Sequence, residues 1–488
     1  MKRLACPALL ALALGLGGCG DQAQSNAPLR VSAVGARAAP GDPNSGPLDA
    51  ARRALMGASA QGLVAFDAAG QIEPGLAESW IVIDDGRSYI FRIREAEWPD
   101  GTPVTTEQVA RALKRAIGPN SRNMLHPWLK AIDDIVAMTD RVIEVRLSRP
   151  RPDLLKLFAQ PELAVFRLDT MGGSGPYRIQ PDPAGGALLT PALDPAHAED
   201  DKPPKPNPAD FIQLRGERAA LGIARFKNGG ADLVLGGTFA DWPVVTAAQV
   251  PDAAIRIDPA VGLFGLAVVS RDGFLASADN RAALAMAIDR GGLTRLFRPD
   301  WAPVETMLPA QLDSAAAPTQ PAWGTLAPDA RRDLARSRVQ AWQRARPGPV
   351  TIRVALPSGP GSNLVWASVG RALLDIGIRP VRVDYLAPAD LRLIDAVAPY
   401  DSARWFLATA CRLCDANVAL AIEAARDAPT LDARAHRMAE AEAALAADSA
   451  YIPIAQPLRW AIVTSRITGW QGNARAWHPL RHLRNESE

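Results

Sequence analysis

Strand-like runs alternate with helix-like segments along the second half of this chain, and no other feature constrains the fold as strongly. Residues 211–214 and 231–235 are β-prone, and residues 219–226 between them have helical spacing. A strand, a helix and a second strand in that order favour a parallel sheet, because the helix returns the chain to the end where the first strand began. The sequence therefore predicts an α/β fold. Further strands are predicted at 263–269, 351–355 and 381–385, and further helices at 329–345, 363–374 and 431–445.

One more helix is predicted from its two ends. Asp279 is expected to cap a helix that carries Leu284 and Ala287, and Gly291-Gly292 is expected to end it. An aspartate oxygen can accept a hydrogen bond from a free amide of the first turn, and glycine readily adopts the conformation that closes a helix.

A β-hairpin followed by an amphipathic helix is predicted early in the chain. Two β-prone runs, 80–83 and 89–94, are separated by an Asp-Asp-Gly sequence that suits a tight turn. Thr105 and Gln108 then have the spacing of a capping box, in which each side chain bonds the other residue's backbone amide. Residues 142–147 alternate apolar and charged side chains, so this run is expected to join the same sheet.

The first 18 residues have the pattern of a secretory signal peptide. Lys2 and Arg3 supply positive charge, residues 7–16 form a short apolar run, and two glycines precede Cys19. The run Leu-Gly-Gly-Cys resembles the bacterial lipobox, in which the cysteine becomes the lipid-modified first residue of the mature protein. We therefore expect lipid attachment at Cys19, followed by a flexible tether over residues 19–29.

Length and charge narrow the class of protein. A chain of 488 residues exceeds what one hydrophobic core usually serves, so two or three lobes are expected. The formal net charge is only +2, from 54 basic and 52 acidic residues, and no basic tract is interleaved with aromatic side chains. Nucleic acid is therefore not an expected partner. No apolar run after the signal reaches the roughly 18 residues that a transmembrane helix needs.

The sequence contains no enzyme motif. Ser174 lies in a glycine-rich run, but Pro176 occupies the position where a nucleophile elbow needs glycine. Phosphate-binding glycine loops are missing, and the five histidines are scattered without the spacing of a zinc site. We therefore expect no catalytic residues, no metal and no other cofactor.

Cys411 and Cys414 form the one cysteine motif of the mature chain. Two thiols three positions apart are expected to pair as a structural disulfide in an oxidising compartment. A thiol-disulfide exchange centre is the alternative, although such centres usually open a helix after the first strand of a small βαβ domain. The alternative stays open at this point.

Several ordered motifs agree with one known family. They lie at 61–64, 73–80, 84–86, 98–105, 173–177, 229–232 and 281–290. Their residues, such as Trp-Pro-Asp-Gly-Thr-Pro-Val-Thr at 98–105, resemble the signature of family 5 extracellular solute-binding proteins. Members of that family are the receptors of bacterial dipeptide, oligopeptide and nickel ABC importers.

The resemblance implies a two-lobed periplasmic-binding-protein fold of type II with the extra subdomain of the peptide-binding family. Lobe I is expected at 30–260 and 455–488, with the subdomain at about 50–171, and lobe II at 261–454. The implied function is capture of a peptide between the lobes and its delivery to an ABC permease and ATPase, with the receptor held at a membrane in the periplasm. Within the same fold, the alternative is a receptor for a nickel chelate, haem or a sugar derivative.

The resemblance also implies binding residues. Peptide-binding members fix the α-ammonium of the ligand with an aspartate of the second lobe, and Asp415 is the candidate in this sequence, with Trp405 and Asn417 as further candidates. A carboxylate suits a partly desolvated ammonium, because charge-assisted hydrogen bonds are strong. The alternative role of Asp415 is to cap a loop or helix.

Overall fold

The computed structural model describes residues 27–167, 169, 172–182, 185–192 and 207–484. The expected signal peptide, the expected lipid site at Cys19 and most of the expected tether lie outside these residues. Leu29, at the end of the expected tether, is buried and begins the first strand. Within the described ranges, no helix combines the length and apolar character needed to span a lipid bilayer.

The strands of the described ranges follow one another along the chain and form both large and small sheets. They are β1 (Leu29–Val34), β2 (Val64–Phe66), β3 (Ile72–Pro74), β4 (Ala77–Ile83), β5 (Ser88–Ile93), β6 (Ile132–Thr139), β7 (Val142–Leu147), β8 (Phe166–Arg167), β9 (Gly172–Gly173), β10 (Tyr177–Pro181), β11 (Ala187–Pro191), β12 (Ile212–Glu217), β13 (Leu233–Thr238), β14 (Ile255–Ile257), β15 (Gly262–Val268), β16 (Val350–Leu356), β17 (Ile378–Asp384), β18 (Leu391–Val397), β19 (Tyr451–Ala455) and β20 (Arg459–Val463).

The α-helices of the same ranges connect or cover these strands. They are α1 (Ala50–Ser59), α2 (Thr106–Ile117), α3 (Leu154–Phe158), α4 (Ala219–Lys227), α5 (Trp242–Ala247), α6 (Ala278–Ala287), α7 (Arg290–Arg295), α8 (Pro328–Ala345), α9 (Pro360–Asp375), α10 (Ala403–Ala410), α11 (Ala416–Asp427) and α12 (Leu431–Asp448).

Lobe I is built on a seven-stranded sheet with the order β10-β11-β12-β1-β13-β20-β14. Strand β1 pairs in parallel with β12 on one side and with β13 on the other. Helix α4 connects these two outer strands, so the predicted strand-helix-strand order and its parallel sheet are confirmed. The sequence pattern did not reveal that β1, from the start of the chain, lies between them.

The expected subdomain contains a four-stranded antiparallel sheet with the order β4-β5-β7-β6. The predicted hairpin is confirmed as β4 and β5, and 142–147 is the neighbouring strand. Its turn contains Asp84 and Asp85 in the left-handed conformation, at φ of 52° and 53°. The predicted capping box is also confirmed, because Thr105 and Gln108 bond each other's backbone amides at the start of α2.

Lobe II contains a five-stranded sheet with the order β17-β16-β18-β15-β19. The predicted ends of its first long helix are wrong. Helix α6 begins after Ser277, with Asp279 in its first turn, and it ends at Ala287. Gly292 instead lies inside α7, where its amide donates to Asp289 Oδ1 at 2.8 Å. The helix is interrupted before the glycines because Ile288 is extended and its side chain is buried in the core. Gly291 and Gly292 therefore come after the end of α6.

Two chain crossings connect the large sheets of the two lobes. One lies between β14 and β15, and the other between β19 and β20. The crossings lie side by side, since the Asp258 amide donates to the Arg459 carbonyl at 3.1 Å and the Gly262 amide donates to Gln456 Oε1 at 2.8 Å. Paired short connections of this kind suit rotation of one lobe against the other.

Candidate functional site

The segment that follows β18 is the place where three parts of the fold meet. We call residues 398–404, together with the side chains that contact them, the lobe junction. From the subdomain, Gln160 Nε2 donates to the Pro399 carbonyl at 2.8 Å. From the C-terminal segment 464–484, the Arg475 guanidinium donates to the Ala398 carbonyl. Lobe II, the subdomain and the end of the chain therefore hold this segment jointly.

Asp401 is the carboxylate of the lobe junction. Its Oδ2 accepts a hydrogen bond from Lys156 Nζ on α3, and its Oδ1 accepts one from Arg475. Burial alone would raise the pKa of Asp401, but the hydrogen bond from Lys156 and the charge of Arg475 outweigh burial and lower it. The side chain remains 38% exposed. The site therefore offers an ionised carboxylate that already accepts an ammonium group and that a solute can reach.

A partly buried polar network fixes the start of α10 beside Asp401. Asp313 accepts hydrogen bonds from the Ala403 amide at 2.6 Å and from Ser402 Oγ at 2.9 Å. Arg434 on α12 donates to Ser402 Oγ at 2.8 Å and lies 3.2 Å from Asp313 Oδ2. These bonds give the lobe junction a defined backbone on which to present Asp401.

Asp153, which precedes α3, gives the same region a dependence on pH. Burial, assisted by the charge of Asp313, raises the pKa of Asp153 from 3.8 to about 6. Between about pH 4 and pH 6 the folded chain keeps a proton that the unfolded chain releases, so the free energy of unfolding falls as pH rises through this window. Above the window this contribution no longer changes.

We expect Asp153→Asn to remove this dependence. The variant should be more stable than the parent chain at neutral pH and close to it near pH 4, as measured by urea unfolding at several pH values. Asp133→Asn, at an exposed aspartate of β6, is the matched control and should leave the pH profile unchanged. Parallel profiles for the parent and Asp153→Asn would contradict the assignment.

The three candidate binding residues do not surround one site. Asp415 is exposed and caps α11, with its Oδ1 accepting from the Asn417 amide at 3.0 Å. Asn417 is exposed beside it. Trp405 lies elsewhere: it is 4% exposed, and its ring packs edge-on against Phe406. The structure therefore joins Asp415 to Asn417 through a helix cap and places Trp405 in the core.

Asp401, which sequence reasoning missed, follows a strand that was not predicted. Strand β18 carries Asp395 in phase with Leu391 and Leu393, and this charge interrupts the alternation that marks a half-buried strand. Asp395 is paired with Arg459 at 2.8 Å, which lets it lie within the sheet. If the strand had been recognised, Asp401, a carboxylate four residues after its end, would have been a candidate binding residue.

Cys411 and Cys414 form a disulfide in the turn between α10 and α11. Both residues are half-buried and pack against the core that the subdomain shares with lobe II. The described residues contain no group of three or more histidine, cysteine or acidic side chains placed to hold a metal ion.

Two α/β lobes joined by two adjacent crossings, with a polar junction between them, define a two-lobed periplasmic binding protein. The model of the bacterial extracellular solute-binding proteins, family 5, matches residues 71–338. This match covers more than half of the chain, which therefore belongs to that family.

Individual relatives match over a shorter stretch. A probable deoxycholate-binding periplasmic protein of Escherichia coli, YgiS, is 31% identical over 121 residues, which is 21% of this chain and 23% of the relative. The periplasmic oligopeptide-binding protein OppA of the same organism is 33% identical over 119 residues, 21% of this chain and 22% of the relative. These alignments span less than a quarter of either relative.

The similarity of fold extends over almost the whole chain. The crystal structure of Haemophilus influenzae OppA in complex with the peptide RPPGFSPFR superposes with a TM-score of 0.76 at 16% identity, covering 93% of this chain and 98% of the other. At this level of identity the likeness establishes the two-lobed fold.

Proposed function

We propose that this chain is the substrate-binding component of an ABC importer and that it captures peptides at the lobe junction. The observation that carries the proposal is Asp401, an ionised and reachable carboxylate of lobe II that contacts both the subdomain and the C-terminal segment. A ligand bound there touches every part that moves when the lobes close, so its binding energy can favour the closed arrangement.

Lys156 indicates how the peptide would bind. Its Nζ is an ammonium group on Asp401, and the α-ammonium of a peptide has the same chemistry. A peptide that takes this place keeps the charge of Asp401 compensated. We therefore propose Asp401 in place of Asp415 as the anchor, because Asp401 lies at the lobe junction and already accepts an ammonium group.

The proposed function also includes membrane partners and a location in the cell. The receptor passes its ligand to a membrane permease driven by an ATPase, and no bond of the ligand is made or broken. It works in the periplasm, held by a lipid on Cys19. Lobe I comprises 30–260 and 455–488, with the subdomain at about 50–171, and lobe II comprises 261–454.

Mass spectrometry of molecules that co-purify with the full chain, followed by thermal shift against di- to oligopeptides, tests the ligand class. Peptides should raise the melting temperature. Deoxycholate is included because one relative is described as binding it, together with nickel chelates, haem and sugar derivatives. A rise with any of these and with no peptide would overturn the peptide proposal while leaving a solute receptor.

Replacing both Cys411 and Cys414 with serine separates capture from thiol-disulfide exchange. The bridge closes a very short loop, so on the chain-entropy account its loss costs about 2 kcal/mol of stability. We expect the melting temperature of the double variant to fall and its rise with ligand to persist. Loss of all ligand response in a folded double variant would favour the thiol alternative.

A further inference from the structure

Arg404, in the first turn of α10, is a buried cation without a counter-charge. The residue is 5% exposed, and its Nε is buried without a hydrogen-bond partner. In the part of the chain that the structure describes, no ion pair joins its guanidinium to a carboxylate. The guanidinium lies over the face of Trp128, 5.3 Å from the ring centre.

The acidic groups around Arg404 are engaged elsewhere. Glu423 pairs with Arg426, and Asp427 is shared by Arg426 at 2.7 Å and Arg149 at 3.3 Å. Burial lowers the pKa of Arg404 to about 10, so the guanidinium still carries its charge at neutral pH. An unpaired buried charge is costly, so a charged partner that arrives with a bound solute would relieve this cost.

A second group beside Arg404 also lacks a partner. Tyr400 is 1% exposed, and its hydroxyl makes no hydrogen bond within the described chain. Its ring packs edge-on against Trp128 at 6.1 Å, and the Arg151 guanidinium lies over it at 5.9 Å. The hydroxyl and the guanidinium are both donors, and both side chains lie against the Trp128 ring. This combination suits an anionic oxygen-bearing group.

We propose that Arg404 and Tyr400 bind a carboxylate of the captured solute, so that the receptor prefers acidic peptides. The inference rests on the proposed function and names its substrate class. Asp401 and Arg404 lie three residues apart on the same segment. In this proposal, a peptide whose ammonium binds Asp401 places the side chain of one of its first residues at Arg404.

Access to this site requires the lobes to part. Trp128 and Arg151 belong to the subdomain, whereas Tyr400 and Arg404 belong to lobe II, so the two surfaces that cover the site separate when the junction opens. The solute enters the open form, and closure then brings the aromatic rings and Arg151 around its carboxylate. Closure thereby contributes to selection of the solute.

The test compares peptides that differ only by Glu or Gln at one of the first two positions. Isothermal titration of the full chain should give Glu peptides about tenfold to a hundredfold tighter binding, the range for a hydrogen bond to a charged group. Arg404→Gln should abolish this preference, Arg404→Lys should restore part of it, and Tyr400→Phe should reduce it. Arg412→Gln, at an exposed arginine nearby, is the control and should leave the preference intact.

Several results would overturn the inference. Equal binding of Glu and Gln peptides by the parent chain is one, and it needs no variant to fold. An equal loss for both peptides in Arg404→Gln is another, because it indicates a structural role. If no peptide binds and deoxycholate does, the peptide proposal fails, and the same comparison is made between deoxycholate and its neutral amide. Equal binding of those two would then overturn the inference.

Discussion

Arg281→Ala is expected to lower the free energy of unfolding by about 3 to 5 kcal/mol, the usual cost of breaking a buried charge pair. Arg281 lies in α6 and is 2% exposed. All three nitrogens of its guanidinium donate hydrogen bonds within lobe II. It donates to Asp448 Oδ1 at 2.6 Å, to the Asp448 carbonyl at 2.9 and 2.7 Å, and to the Leu275 carbonyl at 2.7 Å.

The size of the effect follows from what remains after truncation. Asp448 ends α12, and its other oxygen accepts from the Asp415 amide at 3.0 Å, so it ties three segments of lobe II together. Without Arg281 the Asp448 carboxylate loses its most buried partner, and the backbone carbonyls of Leu275, Ala276 and Asp448 lose this donor. Both losses leave buried polar groups unsatisfied.

Urea unfolding monitored by tryptophan fluorescence measures this loss. Arg271→Ala is the matched control, because Arg271 pairs with the same aspartate from a side chain that is 22% exposed. More exposed ion pairs contribute roughly 1 kcal/mol or less to stability. The free energy of unfolding of Arg271→Ala should therefore be close to that of the parent chain. Equal losses for the two variants would contradict the role given to burial.

Asp401→Ala is expected to weaken peptide binding about a hundredfold, as measured by isothermal titration, because it leaves the ligand ammonium without its charged partner. Lys156 and Arg475 also lose their shared carboxylate. The variant should bind free-amine peptides poorly even if its lobes still close. N-acetylated peptides, which lack the ammonium, should bind the parent chain and Asp401→Ala equally weakly.

Asp415→Ala is the matched control for Asp401→Ala. It removes a helix cap and should cost about 1 kcal/mol of stability with little change in affinity. The opposite result, in which Asp415→Ala loses the preference for free-amine peptides and Asp401→Ala keeps it, would return the anchor to Asp415.

Local signals account for the elements that were predicted correctly. The hairpin and its helix were visible because turn, alternation and capping box all lie within a few residues of one another. The same locality explains the error at Gly291-Gly292. There the helix ends earlier, because Ile288 is drawn into the core and Arg290 donates to the Pro453 carbonyl at 2.7 Å on a distant strand. Contacts between residues so far apart along the chain leave no signal in the local sequence.

The candidate site was harder to predict than the fold for the same reason. Asp401 gains its role from Lys156 and Arg475, which are 245 and 74 residues away along the chain. Arg404 is buried and has no ion pair among the described residues, and a sequence shows an arginine there without showing either property. The residues that the family resemblance singled out lie at a helix cap and in the core: Asp415 caps α11, Asn417 lies beside it and Trp405 is buried.

A crystal structure of the full chain with a peptide that raises its melting temperature tests the central claim most directly. We predict that the peptide lies between the lobes, with its α-ammonium nitrogen within hydrogen-bond distance of the Asp401 carboxylate and Lys156 displaced from it. A peptide bound away from the lobe junction, or one whose ammonium contacts Asp415 while Lys156 stays on Asp401, would contradict the account.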